Sequence, residues 1–340
     1  MAQADLSRVR HWRLRTRTLQ IGRLPLLMGV INVTPDSFSD GGNFFDAETA
    51  VEHGLQLIAD GADLLDVGGE STRPYSEPVE VQEELRRVMP VVGALCQQTR
   101  TPVSIDTSKA LVARHALHSG AEIINDITAL TGDPAMLPLA AETGCGLCVM
   151  HMQGRPRTMQ EAPSYADVIG EVMQFLQARR DALLAAGIQA DRIALDPGIG
   201  FGKNVEHNLQ LLANAGRLHA LGCPILVGHS RKRFLAGLAA SGAAAGSLGN
   251  AGVAPSGPES SAVGLAQRRD ALPAAPSPLV PAGIPIAKQS GSPHGAIDRT
   301  AGTIAVALAL ARQGIQVLRV HDVAAVRQAL VAFAAAGGLA

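Results

Sequence analysis

The sequence predicts an α/β protein, a (β/α)8 TIM barrel with a low-complexity insertion after its seventh strand. Short apolar runs recur along the chain, and each is followed by a longer segment with the spacing of an amphipathic helix. The runs are almost continuously apolar, as expected for parallel strands that are covered on both faces. A doubly wound open sheet is the alternative, because a count of strands does not by itself show that a sheet closes.

The predicted elements follow one another in a regular order. Before the barrel, alternation through Trp12, Leu14, Thr16 and Thr18 favours a short strand or hairpin over an organelle presequence. The eight predicted strands are LLMGVIN, LLDVGG, PVSIDT, EIINDIT, GLCVMHM, RIALDPG, PILVGHS and VLRVHD. The predicted helices between them span residues 46–60, 79–98, 109–119, 134–143, 165–186, 206–220 and 300–313.

One segment interrupts this alternation. Residues 239–296 are rich in Ala, Gly, Pro and Ser and have neither a helical nor an alternating period. Because the segment falls between the seventh strand and the helix after it, we expect a disordered surface insertion rather than a functional lid. The prediction is therefore one domain over residues 1–340, with its core at about 25–238 and 297–337 and an insertion at 239–296.

Composition excludes several classes of partner. The 29 Lys and Arg residues nearly balance 30 Asp and Glu residues, so no overall field would attract nucleic acid or a membrane surface. No apolar run approaches the roughly 20 residues of a membrane span. Cys145 and Cys148 have the spacing of a redox motif, but they enter the apolar run LCVM and are predicted to be buried thiols. We therefore expect a cytoplasmic protein that binds neither nucleic acid nor a membrane.

Polar residues stand at the C-terminal end of every predicted strand. One polar strand end is usually a helix cap or a turn residue, but eight of them in a barrel would converge on the face where such enzymes carry out chemistry. A shared site is therefore predicted. In chain order the strand ends carry Asn32, residues 69–73, Asp106, Asn125 with Asp126, His151, Asp196, residues 230–232, and Arg319 with His321 and Asp322.

Three of these strand ends favour a flat polar heterocycle as ligand. Asp106, Asn125 and Asp196 offer acceptors, and Asn125 also offers a donor, which suits a ring that bears amino and N–H groups. Lys232 would donate to a ring carbonyl or nitrogen. Each carboxylate could instead cap a helix, and Asp106 is the best placed to do so because Thr107 and the next helix follow it.

The last strand end favours an anion. Arg319 and His321 stand two residues apart on one strand, so both side chains are expected on the same side. The region after strands seven and eight is a frequent phosphate site in these barrels. The oxygen of Asn32 could complete the shell of a Mg²⁺ ion that is bound mainly by phosphate oxygens and water.

Two motifs are interpreted without catalytic roles. The segment GIGFGK, residues 198–203, lacks the spacing of both the phosphate loop and the dinucleotide-binding motif. Its glycines are expected to let the backbone approach a ligand, with Phe201 stacking on a ring. Ser230 and its neighbour His229 are not a nucleophile and base, because adjacent strand residues point to opposite faces.

Eight segments stand out along the chain: MGVINVTPDSFSDGG, DVGGESTRP, SIDTSKA, INDI, MHMQGRPRTMQ, LDPGIGFGK, GHSRKRF and RVHD. In this order they resemble the successive motifs of the dihydropteroate synthase family. The resemblance implies an enzyme of folate biosynthesis and a sulfonamide target. Such an enzyme joins p-aminobenzoate to 6-hydroxymethyl-7,8-dihydropterin diphosphate, with Mg²⁺, and gives 7,8-dihydropteroate and pyrophosphate. The resemblance also implies a homodimer.

The resemblance further implies roles for individual residues. Residues implied to act in catalysis are Asn32 as the metal ligand, Asp36 in the loop after the first strand, Arg73, Lys232, Arg319 and His321. Residues implied to bind substrates are Thr72, Arg73, Asp106, Asn125, Asp196, Phe201, Gly228, Ser230, Lys232, Arg319 and His321. The loops after strands one and two are implied to close over the site.

One departure and two alternatives stay open. Tyr75 stands where family members more often have Gly, which places closure of the second loop in question. One alternative is a barrel similar to the folate-binding domain of corrinoid-dependent methyltransferases, which would not need the Arg319 and His321 pair. The other is a non-catalytic paralogue that binds a partner through the insertion.

Overall fold

The N-terminal hairpin covers one end of a barrel. The structure, a computed structural model, describes residues 8–34, 43–72, 76–235 and 299–339. Strands β1 (His11–Arg13) and β2 (Thr18–Gln20) pair antiparallel, which confirms the predicted hairpin. Trp12 and Leu14 are buried against apolar residues from the beginnings of the barrel strands. The hairpin therefore closes the N-terminal end of the barrel and leaves its chemistry to the opposite end.

Within the described residues, eight parallel strands form a closed sheet. The pairing order is β8–β7–β6–β5–β4–β3–β10–β9, and a parallel bridge between Leu195 and Ile225 joins the first strand of that order to the last. The predicted barrel is confirmed, and the open sheet is excluded. The strands are β3 (Leu26–Asn32), β4 (Leu64–Gly68), β5 (Val103–Asp106), β6 (Ile123–Asp126), β7 (Gly146–Met150), β8 (Ile193–Asp196), β9 (Leu226–Val227) and β10 (Val317–Val320).

Helices cover the outside of the barrel. They are α1 (Asn43–Ala59), α2 (Val81–Gln98), α3 (Ala110–His118), α4 (Met136–Thr143), α5 (Val168–Ala185), α6 (Val205–Ala213), α7 (Thr300–Arg312) and α8 (Val323–Ala335). The helix predicted over 206–220 was wrong in its second half, because α6 ends at Ala213 and a 3-10 helix over Ala215–Leu221 follows. Helix α8 was not predicted; it packs through Val323, Val326 and Leu330.

Three expectations from the sequence concern the cysteines, membrane spans and the insertion. Cys145 and Cys148 are buried, as predicted, and burial raises the pKa of both thiols. Among the helices that the structure describes, none combines the length and the apolar character needed to cross a membrane. The predicted insertion, residues 239–296, lies outside the described residues.

Candidate active site

The barrel strands alternate between an apolar outer side and an inner side that becomes polar near the C-terminal ends. Outward residues such as Leu65, Val67 and Ile105 pack against the helices, whereas an inner apolar layer lies near the strand beginnings. Polar or small residues stand two positions after members of that inner layer. They are Asp66 after Leu64, Asn125 after Ile123, Asp196 after Ala194, Gly228 after Leu226 and Arg319 after Val317. Strand periodicity thus brings these side chains together inside the barrel mouth.

Arg319 is the centre of a buried charge network. Its Nε donates to Asp66 Oδ2 at 2.6 Å, and its Nη2 donates to Asp106 Oδ2 at 2.8 Å. Asn125 Nδ2 donates to the same oxygen of Asp66 at 3.0 Å. The Asp66 side chain has no exposed surface, so water does not screen these bonds. Four residues from four strands therefore form one connected polar unit.

This network answers the question of whether Asp106 caps a helix. Ala110 at the start of α3 donates instead to Asp133 Oδ2 at 2.8 Å, and Asp106 bonds to Arg319. Burial raises the pKa of Asp106; the charge of Arg319 opposes that shift and the charge of Asp66 adds to it. Burial alone would lower the pKa of Arg319, but the two carboxylates raise it above its usual value. The guanidinium is therefore a permanent cation at this site.

Asp196 and Lys232 form the neighbouring part of the site. Asp196 Oδ1 accepts from the Gly198 backbone N–H at 2.7 Å, and burial raises the pKa of this carboxyl to about 6. Burial, together with the nearby charge of Arg319, lowers the pKa of Lys232 to about 8. A Cβ at Gly228 would meet both Asp196 and Arg319 at 3.9 Å, so this position borders both groups. The site thus offers an acceptor and a donor that titrate close to neutral pH.

Phe201 lies over Lys232 on a loop that is tightly held. The Lys232 Nζ atom stands 4.2 Å from the centre of the Phe201 ring, a cation–π contact. The loop owes its position to Lys203, whose Nζ donates to the carbonyl oxygens of Gly198 and Phe201 at 2.9 Å each. Lys203 Nζ also lies 3.0 Å from His151 Nδ1. This buried anchor connects the loop after β8 to the end of β7.

The electrostatics of the anchor fix the direction of its hydrogen bond. Burial lowers the pKa of His151 to about 3, so this imidazole is neutral and its Nδ1 accepts from Lys203. Burial also lowers the pKa of Lys203 to about 7, while its carbonyl acceptors favour the ammonium form. Sequence reasoning missed Lys203, because a lysine that ends a glycine-rich segment gives no sign of burial.

His321 is paired with Ser230. Ser230 Oγ accepts from the His321 backbone N–H at 3.2 Å and lies 3.1 Å from His321 Nδ1. His229, the sequence neighbour of Ser230, is buried and its Nε2 donates to the Thr303 carbonyl oxygen at 3.1 Å. The expectation that Ser230 and His229 are not a nucleophile and base is therefore confirmed.

The remaining predicted residues lie at the rim or outside the described chain. Asn32 ends β3 and pairs in register with Gly68, which pairs in turn with Asp106, so Asn32 stands at the same level of the barrel. Thr72 is half-buried in the loop after β4. Asp36, Arg73 and Tyr75 fall outside the described residues. Among the residues that are described, no group of three or more His, Cys, Asp or Glu side chains could hold a metal ion.

Asp66 is the principal residue that sequence reasoning missed. It lies inside the strand LLDVG, two residues before the strand end, and so did not count among the polar strand ends. A carboxylate in an otherwise apolar and fully buried strand is itself a signal, because such a charge requires a partner. The partner, Arg319, is 253 residues away in sequence.

Comparisons with known proteins agree with this architecture. A family described as "Pterin binding enzyme" matches residues 28–256. Dihydropteroate synthase of Escherichia coli K12 is 50% identical over 211 residues, which cover 62% of this chain and 74% of that relative. Dihydropteroate synthase of Xanthomonas albilineans, solved with 4-aminobenzoic acid, is similar with a TM-score of 0.75 and 39% identity over 97% of this chain and 99% of that one. The same enzyme in complex with 7,8-dihydropteroate gives 0.72 and 38% over 96% and 98%.

The fold and the site therefore define a pterin-binding enzyme on a (β/α)8 barrel. Within that class, the chain belongs to the dihydropteroate synthase family.

Proposed function

We propose that this protein condenses 6-hydroxymethyl-7,8-dihydropterin diphosphate with p-aminobenzoate to give 7,8-dihydropteroate and pyrophosphate. The observation that carries the proposal is the charge network around Arg319 at the barrel mouth, in a chain of the dihydropteroate synthase family. The network joins acceptors that suit a pterin to a cation that suits a diphosphate, so one site can hold both ends of the first substrate.

The pterin ring is recognised by its edges. Asp106, Asn125 and Asp196 present acceptors to the ring's amino and N–H groups, and Lys232 donates to a ring carbonyl or nitrogen. Because these groups are largely buried, each hydrogen bond that the substrate fails to make leaves a polar group unsatisfied. The site therefore selects strongly for a heterocycle with this pattern of donors.

The chemical step needs charge stabilisation more than a strong base. The C–O bond between the pterin CH2 and the diphosphate breaks, and its electron pair leaves with the diphosphate. The electron-rich pterin delocalises the cation that develops, and the neutral amine of p-aminobenzoate supplies the electron pair of the new C–N bond. The nitrogen then loses one proton to solvent or to the departing pyrophosphate.

The protein stabilises the leaving group with fixed charges. Arg319 is a permanent cation that the carboxylates hold in one orientation, and His321 is held by Ser230. Preorganised donors of this kind cost no reorganisation as charge develops. Arg319 and His321 therefore bind the diphosphate and oppose its growing negative charge, and Arg73 adds a further positive charge. Asp36, itself an anion, is proposed to act on the pterin cation rather than on the diphosphate.

A Mg²⁺ ion fits the donor set at the rim. Mg²⁺ keeps several waters and takes substrate phosphate oxygens, so the neutral oxygen of Asn32 would complete a shell that phosphate and water mainly supply. Asn32 ends β3 at the level of Asp106. When bound, the ion would neutralise charge on the diphosphate, while Asn32 fixes its position.

The second substrate lies beside the pterin. Phe201 provides an aromatic face, Gly228 leaves space next to Asp196 and Arg319, and Thr72, Arg73 and Ser230 provide polar contacts at the edge. We also propose one catalytic domain over residues 1–340, a homodimer and a cytoplasmic location. The methyltransferase-type barrel is less favoured, because it has no use for the pair of Arg319 and His321.

Pyrophosphate release by the purified protein tests this function. Dihydropterin diphosphate, p-aminobenzoate and Mg²⁺ together should give steady release, and omission of p-aminobenzoate should abolish it. A folded protein without p-aminobenzoate-dependent turnover would favour the non-catalytic paralogue.

A further inference from the structure

Asp66 is a buried carboxylate to which neither the motifs nor the proposed reaction assigns a role. Its side chain has no exposed surface, and its Oδ1 has no hydrogen-bond partner among the described residues. Both of its bonds use Oδ2, and both come from residues that are proposed to contact substrate, Asn125 and Arg319. Asp66 is therefore bonded to two residues that are proposed to contact the substrate.

The first consequence concerns the amide of Asn125. Asp66 Oδ2 accepts from the Arg319 guanidinium and from Asn125 Nδ2, so Asp66 holds the NH2 group of Asn125 on its own side. The amide oxygen of Asn125 is then directed away from Asp66. Asn125 pairs in register with Asp106, so this oxygen joins the acceptors that neighbouring strands present.

The second consequence concerns the guanidinium of Arg319. Asp66 and Asp106 bind Nε and Nη2, which lie on the same edge of this planar group. Two carboxylates on one edge fix both the position and the plane of the guanidinium. Neither carboxylate bonds to Nη1, so that nitrogen and the two planar faces of the guanidinium point away from both carboxylates.

We propose that Asp66 is a positioning residue that sets the donor and acceptor pattern of the pterin site. It orients Asn125 so that an amide oxygen faces the ring, and it orients Arg319 for the diphosphate. The inference rests on the proposed function for the identity of the ligand, but the orientation of the two side chains does not depend on that identity.

The variant Asp66→Asn keeps the shape of the side chain, removes its charge and adds donors. Asn125 then no longer has a unique orientation, and Arg319 loses one of its two carboxylates. We expect binding of 6-hydroxymethyl-7,8-dihydropterin, measured by calorimetry on the folded protein, to weaken about tenfold or more. Ser104→Ala is the matched control, because Ser104 is buried, pairs in register with Asp66 and lies outside the network; its affinity should stay within about twofold of wild type.

A double variant tests the polarity itself. Because both present bonds end on Oδ2, the new Asn in Asp66→Asn with Asn125→Asp has to turn to use both of its polar atoms. After that turn its Nδ2 donates to the new carboxylate and its Oδ1 accepts from Arg319, so part of the lost affinity should return. Should Asp66→Asn not fold, the double variant decides: binding within about tenfold of wild type supports the proposal, and absence of binding overturns it.

Neutron crystal structures without substrate separate this inference from the proposed function, because they distinguish the amide nitrogen of Asn125 from its oxygen. In Asp66→Asn, the Asn125 amide or the Arg319 guanidinium should be reoriented, whereas both should stay in place in Ser104→Ala. Unchanged positions of both side chains in Asp66→Asn, or unchanged pterin affinity, would overturn the positioning role. Absence of turnover by wild type would instead overturn the proposed function and leave the structural comparison valid.

Discussion

The variant Arg319→Ala tests whether the charge network also holds the fold together. The substitution removes the cation that Asp66 and Asp106 contact at 2.6 and 2.8 Å. Asp66 has no exposed side-chain surface, and the side chains of Asp106 and Arg319 are 15% and 22% exposed, so solvent screening is weak. Removal of one partner from a buried ion pair costs about 3–5 kcal/mol, because the other charge is left without compensation.

Proton uptake limits this penalty and makes it depend on pH. To neutralise an Asp carboxyl with an ordinary pKa costs about 4 kcal/mol at pH 7 but only about 1.5 kcal/mol at pH 5. In the variant, Asp66 is left fully buried without its cation, so its carboxyl binds a proton at a higher pH in the folded state than in the unfolded state. Its stability therefore falls as pH rises above the unfolded pKa of about 4, until the folded carboxyl itself ionises. We expect a loss of about 3–4 kcal/mol at pH 7 and about 1–2 kcal/mol at pH 5.

Urea unfolding at both pH values measures this loss. Arg86→Ala is the control, since Arg86 pairs with Glu83 on the surface of α2, its side chain is 48% exposed, and the expected loss is about 0.5 kcal/mol. A loss below about 1 kcal/mol for Arg319→Ala at pH 7 would refute the reasoning. An equal loss at pH 5 and pH 7 would contradict the proton-uptake argument.

Three further predictions concern pH, backbone geometry and the metal. The pH profile of kcat/KM for the dihydropterin diphosphate should be bell-shaped. The reason is that Asp196 (pKa about 6) must be ionised to accept a hydrogen bond, and Lys232 (pKa about 8) must be protonated to donate one. A flat profile from pH 5 to 9 would contradict these roles. Gly198→Ala should reduce the free energy of unfolding by about 3 kcal/mol or more, since a Cβ there would lie 1.9 Å from a carbonyl oxygen. Gly222→Ala, with a similar positive φ and open space around it, should cost only about 1 kcal/mol, and equal losses would refute the clash. A chelator should abolish pyrophosphate release and added Mg²⁺ should restore it at unchanged Tm, whereas full activity in the chelator would argue against the metal.

Most of the barrel could be predicted because each strand is marked twice, by an apolar run and by a polar end. Helix α8 was missed because helices were sought only between strands, and this one follows the last strand. The predicted helix over 206–220 was too long because apolar spacing continues through Asn214, whereas the backbone there changes to a 3-10 helix. Local patterns predicted the existence of elements better than their ends.

The site could be predicted as far as it depends on strand ends. Asp106, Asn125 and Asp196 were predicted to lie together because their position in a strand implies a position in the barrel, and Lys232 because it follows the seventh strand. Asp66 could not be found in this way, because its importance comes from Arg319 on a strand that is remote in sequence and reaches it only in the closed barrel. Pairwise contacts of this kind require three-dimensional structure.

Quantification of 7,8-dihydropteroate by mass spectrometry tests the central claim most directly. Wild-type protein should convert the two substrates with Mg²⁺ into dihydropteroate and pyrophosphate in equal amounts. Asp196→Asn, which retains the shape of the side chain but not its charge, should form far less product while remaining folded. Absence of dihydropteroate from folded wild-type protein, or equal rates from both proteins, would contradict the account.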